Sequence, residues 1–284
     1  MPLIEGQMQI RDLVMGQSTP YLVMQGTNPW TRSARVDSTG ARPWAHGSWS
    51  GAEWLTEVVV PITVLVQSGS AGEWLTRQQT MQAAFRPIGD SVADVELRWM
   101  LGGTEYVMFG RPRMVEPDVV NMRGETVIRA AFVALDPFIY AGAETVVDDI
   151  ALPTYSGGLS VPFTVPFTIA GTITDGYTDI TNNGTADTGL LLRIDGPVES
   201  PSVWLIHDDG TVQRLDFNIT LGADQWLDID TKERVVLLNG TVSRRGQTAG
   251  DWPMLPTGTH RLRWNAAIYN PDARLTVRYR SAWW

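Results

Sequence analysis

The chemistry available to this chain is limited by its few reactive side chains. Its histidines are His46, His207 and His260, too far apart in sequence for an H-E-x-x-H or H-x-E motif, whose ligands must share one short element. It has no cysteine, which excludes thiolate nucleophiles, thiolate metal sites and disulfides. Asp228, Asp230 and Glu233 have a spacing that could hold Ca²⁺ through carboxylate oxygens. The run nevertheless lacks the glycine and the distant bidentate glutamate of a calcium loop, and solvated charges at a strand end are the simpler reading. A glycosidase needs two carboxylates facing each other across a sugar, about 5 to 10 Å apart, whereas Asp208-Asp209 followed by Gly210 reads as a turn. Gly47-Ser48-Trp49-Ser50-Gly51 has the outline of a nucleophile elbow. Its central position holds Trp49 where a serine must stand, and no helical pattern follows. Gly102-Gly103 leads into no helix and so makes no phosphate loop. The residues therefore predict a protein that is not an enzyme, with no catalytic, cofactor-binding or metal-binding residue.

A different kind of chemistry is concentrated between Thr27 and Glu53. This stretch of Gly, Pro, Ser, Trp and Arg has no period and is longer than connections within a compact domain usually run. Trp and Arg dominate interface hot spots because a large rigid surface or a planar fork orders at low cost. Trp30, Arg32, Arg35, Trp44 and Trp49 are accordingly candidate interface residues, with Trp54 and Arg42 beside them. The alternative is that these aromatics fold back on their own sheet. Trp283 and Trp284 close the sequence, and as neighbours on a strand they point to opposite faces, so they either pack in a core or form a docking patch.

The elements that must position these residues are almost all strands. β-formers run over Met8 to Val14, Tyr21 to Gln25, Trp54 to Val66, Val95 to Leu101, Tyr106 to Arg111 and Thr126 to Leu135. Gly102-Gly103 can supply the positive φ angles of a two-residue turn joining Val95–Leu101 to the next strand. A single α-helix is predicted over about residues 72–86. Trp74, Gln78, Met81 and Phe85 share one helical stripe, with Ser70 as its cap and Pro87 as its stop. Near Asp136-Pro137 the strand pattern ends and Ala141-Gly142-Ala143 follows, which predicts domains at 1–142 and 143–284. The second carries short strand-like runs at Leu159 to Ala170, Tyr177 to Thr181, Leu190 to Ile194, Val203 to His207, Val212 to Ile219, Trp226 to Ile229, Val235 to Leu238, Arg261 to Tyr269 and Ala273 to Tyr279. Asp209-Gly210 and Asn239-Gly240 supply hairpin turns. The fold class is mainly β, an N-terminal β-rich domain with one helix and a C-terminal β-sandwich.

Composition agrees. A chain of 284 residues exceeds what one core usually holds, and 43% hydrophobic residues suffice for two. No apolar run approaches the roughly 20 residues of a membrane span, and the first residues, Met-Pro-Leu-Ile-Glu-Gly, do not read as a secretory signal. Without a signal, the Asn-x-Thr triplets at Asn183, Asn218 and Asn239 mean little as glycan sites, and Asn183-Gly184 and Asn239-Gly240 read more simply as turns. The net charge of −9, 22 basic against 31 acidic residues, disfavours specific nucleic-acid binding, which needs clustered cations to displace counterions. Lys232 is the sole lysine; the other basic residues are arginines.

The ending resembles that of siphophage tail components. The relevant residues are Leu237-Leu238-Asn239-Gly240, then Asp251-Trp252-Pro253-Met254-Leu255-Pro256-Thr257-Gly258-Thr259-His260, then Ala273 through Arg280-Ser281-Ala282-Trp283-Trp284. The early strand pair, the Gly- and Trp-rich loop, the strand Val60-Pro61-Ile62-Thr63-Val64-Leu65-Val66 leading to one helix, and the junction Ala134 to Tyr140 are similar to the same family, the distal tail proteins. That resemblance implies an N-terminal domain assembling as a hexameric ring that continues the tail tube, and a galectin-like or carbohydrate-module-like sandwich outside it. It also implies partners: further copies of itself, the tail tube protein, the tape-measure protein and the baseplate hub or tail-tip proteins. DNA would pass through the lumen unbound. The location implied is the virion tail tip, assembled in the host bacterial cytoplasm. A competing expectation is a host-surface adhesin binding saccharide through the sandwich, with Trp204 or Trp226 as stacking surfaces.

Overall fold

The computed structural model describes residues 2–24, 26–31, 35–37, 39–49, 51–89, 93–118, 125–157, 171–174 and 176–284. Its contacts group into two compact units, Met1–Gly142 with Trp284, and Ala143–Trp283.

The first unit begins with a hairpin, β1 (Gln7–Ile10) and β2 (Leu13–Gly16), where periodicity alone reads one strand over Met8 to Val14. The chain reverses at Arg11, whose φ of 51° lies in the left-handed region. A non-glycine residue is held there by its own side chain. The Arg11 guanidinium donates to the carbonyls of Ala83 and Arg86, both at 3.0 Å, beyond the reach of any periodicity argument. Then come β3 (Tyr21–Val23), β4 (Arg35–Asp37), β5 (Gly40–Ala41), β6 (Ser48–Trp49), β7 (Glu53–Leu55), β8 (Val58–Gln67), α1 (Ala71–Ala84), β9 (Val95–Leu101), β10 (Thr104–Asp118), β11 (Glu125–Ala134) and β12 (Ile139–Ala141). The main sheet has the order β2-β1-β9-β10-β11-β8-β3, with β12 also on β10. Its outermost strands β2 and β3 lie against each other, so the sheet is a nearly closed barrel, a form that leaves few edges to aggregate.

Strand β8 shows why this sheet has one inner face. Val58, Val60, Ile62, Val64 and Val66 are buried while the residues between them face outward, the period of two that a half-buried strand requires. Pro61 is tolerated because β3 pairs β8 only over Val64 to Val66. Pro61 lies past the end of β3, where β8 has a single neighbour and a missing N–H costs little. The β9–β10 hairpin turns on Gly102 and Gly103, φ 61° and 74°, with Leu101 opposite Thr104, as their residue types predict. Glu5 accepts from both turn N–H groups at 2.8 and 3.0 Å. Those bonds, from Gly103 first and then Gly102, hold its carboxyl below the usual range. Strand β10 then changes partners: Thr104 to Gly110 pair with β9, Arg111 to Asp118 with β11, and the register shifts between Pro112 and Met114. At the changeover a Cβ on Gly110 would meet the Val133 carbonyl at 2.2 Å, which is why glycine stands there.

The helix spans Ala71–Ala84, a residue or two from the expected bounds. The Ser70 hydroxyl accepts from the Glu73 N–H, and the Glu73 carboxylate accepts from Gly69 N–H at 2.7 Å, a reciprocal cap. Met81 and Phe85 are buried. Trp74 is half-buried and donates its indole N–H to the hydroxyl of Thr126, a buried residue on β11. The stripe is therefore a packing face.

The second unit is a sandwich. One sheet runs Thr145–Ala151, Arg274–Tyr279, Leu191–Asp195, Trp226–Asp230, Val235–Leu238, Val242–Ser243; the other runs Tyr177–Asn182, Gly258–Asn265, Ser202–Ile206, Val212–Phe217, Thr248–Gly250. Leu192, Ile194, Leu227, Ile229, Leu275 and Val277 from the first sheet share a core with Val203, Leu205, Leu215, Phe217, Leu262 and Trp264 from the second. The fully buried Trp264 donates its indole N–H to the Ala151 carbonyl at 3.0 Å. The two expected hairpins form, with slightly longer loops: Leu238 pairs with Val242, and His207 N–H donates to the Thr211 carbonyl. The expected strand over Leu159 to Ala170 lies outside the described residues.

Candidate functional site

The Trp- and Arg-rich stretch, read as aperiodic, is a β-ribbon. β4 pairs with β7 and β5 with β6 in nested antiparallel register: Arg35 opposite Leu55, Asp37 opposite Glu53, Gly40 opposite Trp49. The Arg42 N–H closes the tip on the Gly47 carbonyl at 3.2 Å. Such a ladder is invisible to periodicity where its residues face solvent, as Gly40, Ala41, Ser48, Trp49 and Trp54 do, because apolar and polar residues then need not alternate. Trp44 sits at the tip with φ 68° and is fully exposed. Trp49 and Trp54 are 61% and 69% exposed, and the Arg42 guanidinium lies 4.8 Å above the Trp49 ring. Arg35 is on β4, and Arg32 lies outside the described residues.

Trp30, at the base, differs. It is half-buried and meets Tyr106 and Trp99 edge-on, with centroids 5.1 and 6.5 Å away, so it folds back on the barrel. Trp283 is half-buried; Trp284 is exposed and meets Phe138 edge-on at 5.1 Å.

The carboxylates of Asp228, Asp230 and Asp209 do structural work. The Asp230 carboxylate accepts from the N–H groups of Lys232 and Glu233, and Asp228 accepts from the Trp226 indole. Asp209 accepts from Thr211 N–H at 2.8 Å, a bond that keeps its carboxyl below the ordinary range. It is thus a turn residue and a poor proton donor. Of the Gly47 to Gly51 segment, Gly47 lies at the ribbon tip and Ser48 and Trp49 form β6; the next element is the strand β7. Among the described residues, no group of three or more His, Asp or Glu could hold a metal. A cavity of about 520 Å³ beside β9 is lined by Leu3, Gln9, Arg11, Glu96, Arg98 and Glu105 among others. Arg98 there is bonded to both Glu96 and Glu105 at 2.6 Å, and Arg11 to the helix carbonyls, so its cations are already spoken for.

Trp204 and Trp226 lie on outer faces of the sandwich, half-buried. Trp204 stands in register between Arg263 on one neighbouring strand and Arg214 on the other, with their guanidiniums 5.4 and 5.0 Å from its ring. Arg193 covers Trp226 at 4.6 Å. Ring surface that a sugar would stack on is taken up by cations of the same sheet.

This mainly β arrangement, a barrel carrying a helix, an aromatic ribbon and a sandwich, is similar in fold to solved phage hub and baseplate proteins. The Dit protein of phage SPP1, a paradigm of the hub adsorption apparatus in phages infecting Gram-positive bacteria, matches 97% of this chain and 98% of its own. The TM-score is 0.62 and the identity 13%. A chain of the phage P2 baseplate in its activated conformation with Ca matches over 96% and 97%, with a TM-score of 0.50 and 12% identity. No family model and no curated protein matches the sequence. The likeness is one of fold, it spans both units, and it agrees with the resemblance drawn from the junction and the C-terminal run.

Proposed function

We propose that this chain is a structural component of a long-tailed phage virion, the distal tail protein whose copies form a ring joining the tail tube to the tip or baseplate hub. The observation that carries the reading is the end-to-end likeness in fold to SPP1 Dit, which covers 97% of this chain and 98% of that one. Residues 1–142 are the ring-forming domain and 143–284 the outward sandwich. The ribbon supplies a contact of the kind a ring needs. A fully exposed Trp44 beside Trp49 and Trp54 is costly on a monomer and typical of an interface anchor. Its partners are further copies, in a hexamer, and the tube, tape-measure and hub proteins; DNA crosses the lumen without being bound.

Light scattering and negative-stain microscopy of the purified full chain test this. Rings, or rings once tail partners are added, are expected, and a strict monomer under both conditions overturns the reading. The triple variant Trp44→Ala, Trp49→Ala, Trp54→Ala is expected to fold and to lose assembly; rings formed as well as by the parent would remove the ribbon from the interface.

A further inference from the structure

We propose that His207 and His260 form a two-histidine site for a divalent transition-metal cation that favours imidazole, such as Zn²⁺, Cu²⁺ or Ni²⁺. Sequence separation hides the pair, and sheet register creates it. Ile206 pairs with Arg261 across antiparallel strands, so the next positions outward, 207 and 260, come opposite each other. Both continue the inward-facing sets, His207 after Val203 and Leu205, His260 before Leu262 and Trp264. The rings sit at the end of the core, with centroids 5.2 Å apart and planes at 71°.

The hydrogen bonds of His260 indicate which nitrogen is available. The residue is 6% exposed, and its Nε2 lies 3.2 Å from the Thr257 carbonyl. A carbonyl only accepts, so Nε2 donates and the neutral ring carries its lone pair on Nδ1. That Nδ1 is buried and has no hydrogen-bond partner among the described residues. Metal-binding imidazoles are built this way: one ring nitrogen is tied through its N–H to a carbonyl or carboxylate, which orients the ring and leaves the other as ligand. His207, half-buried, brings a second imidazole into ring contact on the solvent side of the same core end. Nitrogen donors select Zn²⁺, Cu²⁺ and Ni²⁺ over Ca²⁺ and Mg²⁺, which prefer oxygen. With no third protein ligand among the described residues, water completes the coordination, so the cation is one that a chelator removes readily.

His46, exposed in the ribbon, is an internal control. Cu²⁺ titration of the full chain, followed by electron paramagnetic resonance, is expected to give one bound cation per chain with hyperfine coupling to two imidazole nitrogens. His207→Gln and His260→Gln should each weaken Cu²⁺ and Zn²⁺ binding by about tenfold or more, the loss typical even for outer residues of metal sites, while His46→Gln leaves it unchanged. Coupling to a single nitrogen, parent-like binding by His207→Gln, or loss of binding in His46→Gln would overturn the proposal. Should His260→Gln fail to fold, the parent spectrum and the His207→Gln titration decide alone.

Discussion

The ribbon at residues 35–55 and the outer faces of the sandwich use the same residue types, Trp and Arg, to opposite ends. On the sandwich, Trp204 and Trp226 stand in strand ladders, and guanidiniums from adjacent strands lie over their rings. Arg214 and Arg193 are themselves paired with Asp216 and Asp195 at 2.8 and 2.9 Å. Each partner is intramolecular, and the face is self-satisfied. On the ribbon, Arg42 covers Trp49 but Trp44 stands fully exposed at the tip. Trp and Arg content alone therefore does not mark a binding surface. What marks one is whether the sheet register already supplies each ring and each cation with a neighbour.

One substitution at three positions sharpens that contrast. Trp264→Ala, in the sandwich core, should cost about 3–5 kcal/mol of unfolding free energy, the usual loss for a large buried aromatic; chemical denaturation of the full chain reads it directly. Trp204→Ala, on the outer face of the same sheet, should cost about 1–2 kcal/mol, from two cation–π contacts of about 0.5–1 kcal/mol each and lost cross-strand packing. A loss as large as that at Trp264 would mean the outer face is not peripheral. Glu5→Gln should have a smaller effect that depends on pH. The folded-state pKa of Glu5 lies below its unfolded value, so its contribution is present above the unfolded pKa and fades as pH falls through the folded one. The parent should thus lose stability on acidification slightly faster than Glu5→Gln, and parallel pH profiles would rule out the turn as a carboxylate site. Trp44→Ala comes last, with a change within about 0.5 kcal/mol. A larger loss by thermal or chemical unfolding would mean the ribbon tip packs on its own chain, breaking the comparison.

The local elements were legible because they obey local rules. The alternation in Val58 to Val66, Gly102-Gly103 at a two-residue turn and Ser70 ahead of an apolar stripe each report on neighbours within a few residues. The candidate site was legible only as composition. Trp30, Trp44 and Trp49 are indistinguishable in the sequence, yet Trp30 lies against Trp99 and Tyr106 while Trp44 touches solvent, because only the first stands where the chain leaves the barrel. The β1–β2 hairpin is not legible in the sequence for a similar reason, since the left-handed Arg11 is stabilised by carbonyls more than seventy residues away.

The sequence by itself determined that this is a mainly β chain with one helix, without cysteine chemistry, and with a turn or cap wherever residue type demands a particular φ. Those features depend on steric and hydrogen-bonding preferences that act over one or two turns of chain. Only the tertiary structure decided that β10 changes partners at Gly110, that His207 and His260 meet, and that some tryptophans are covered by arginines and others left bare. Those outcomes depend on strand register, which sets neighbours across tens of residues and is fixed by the packing of whole sheets.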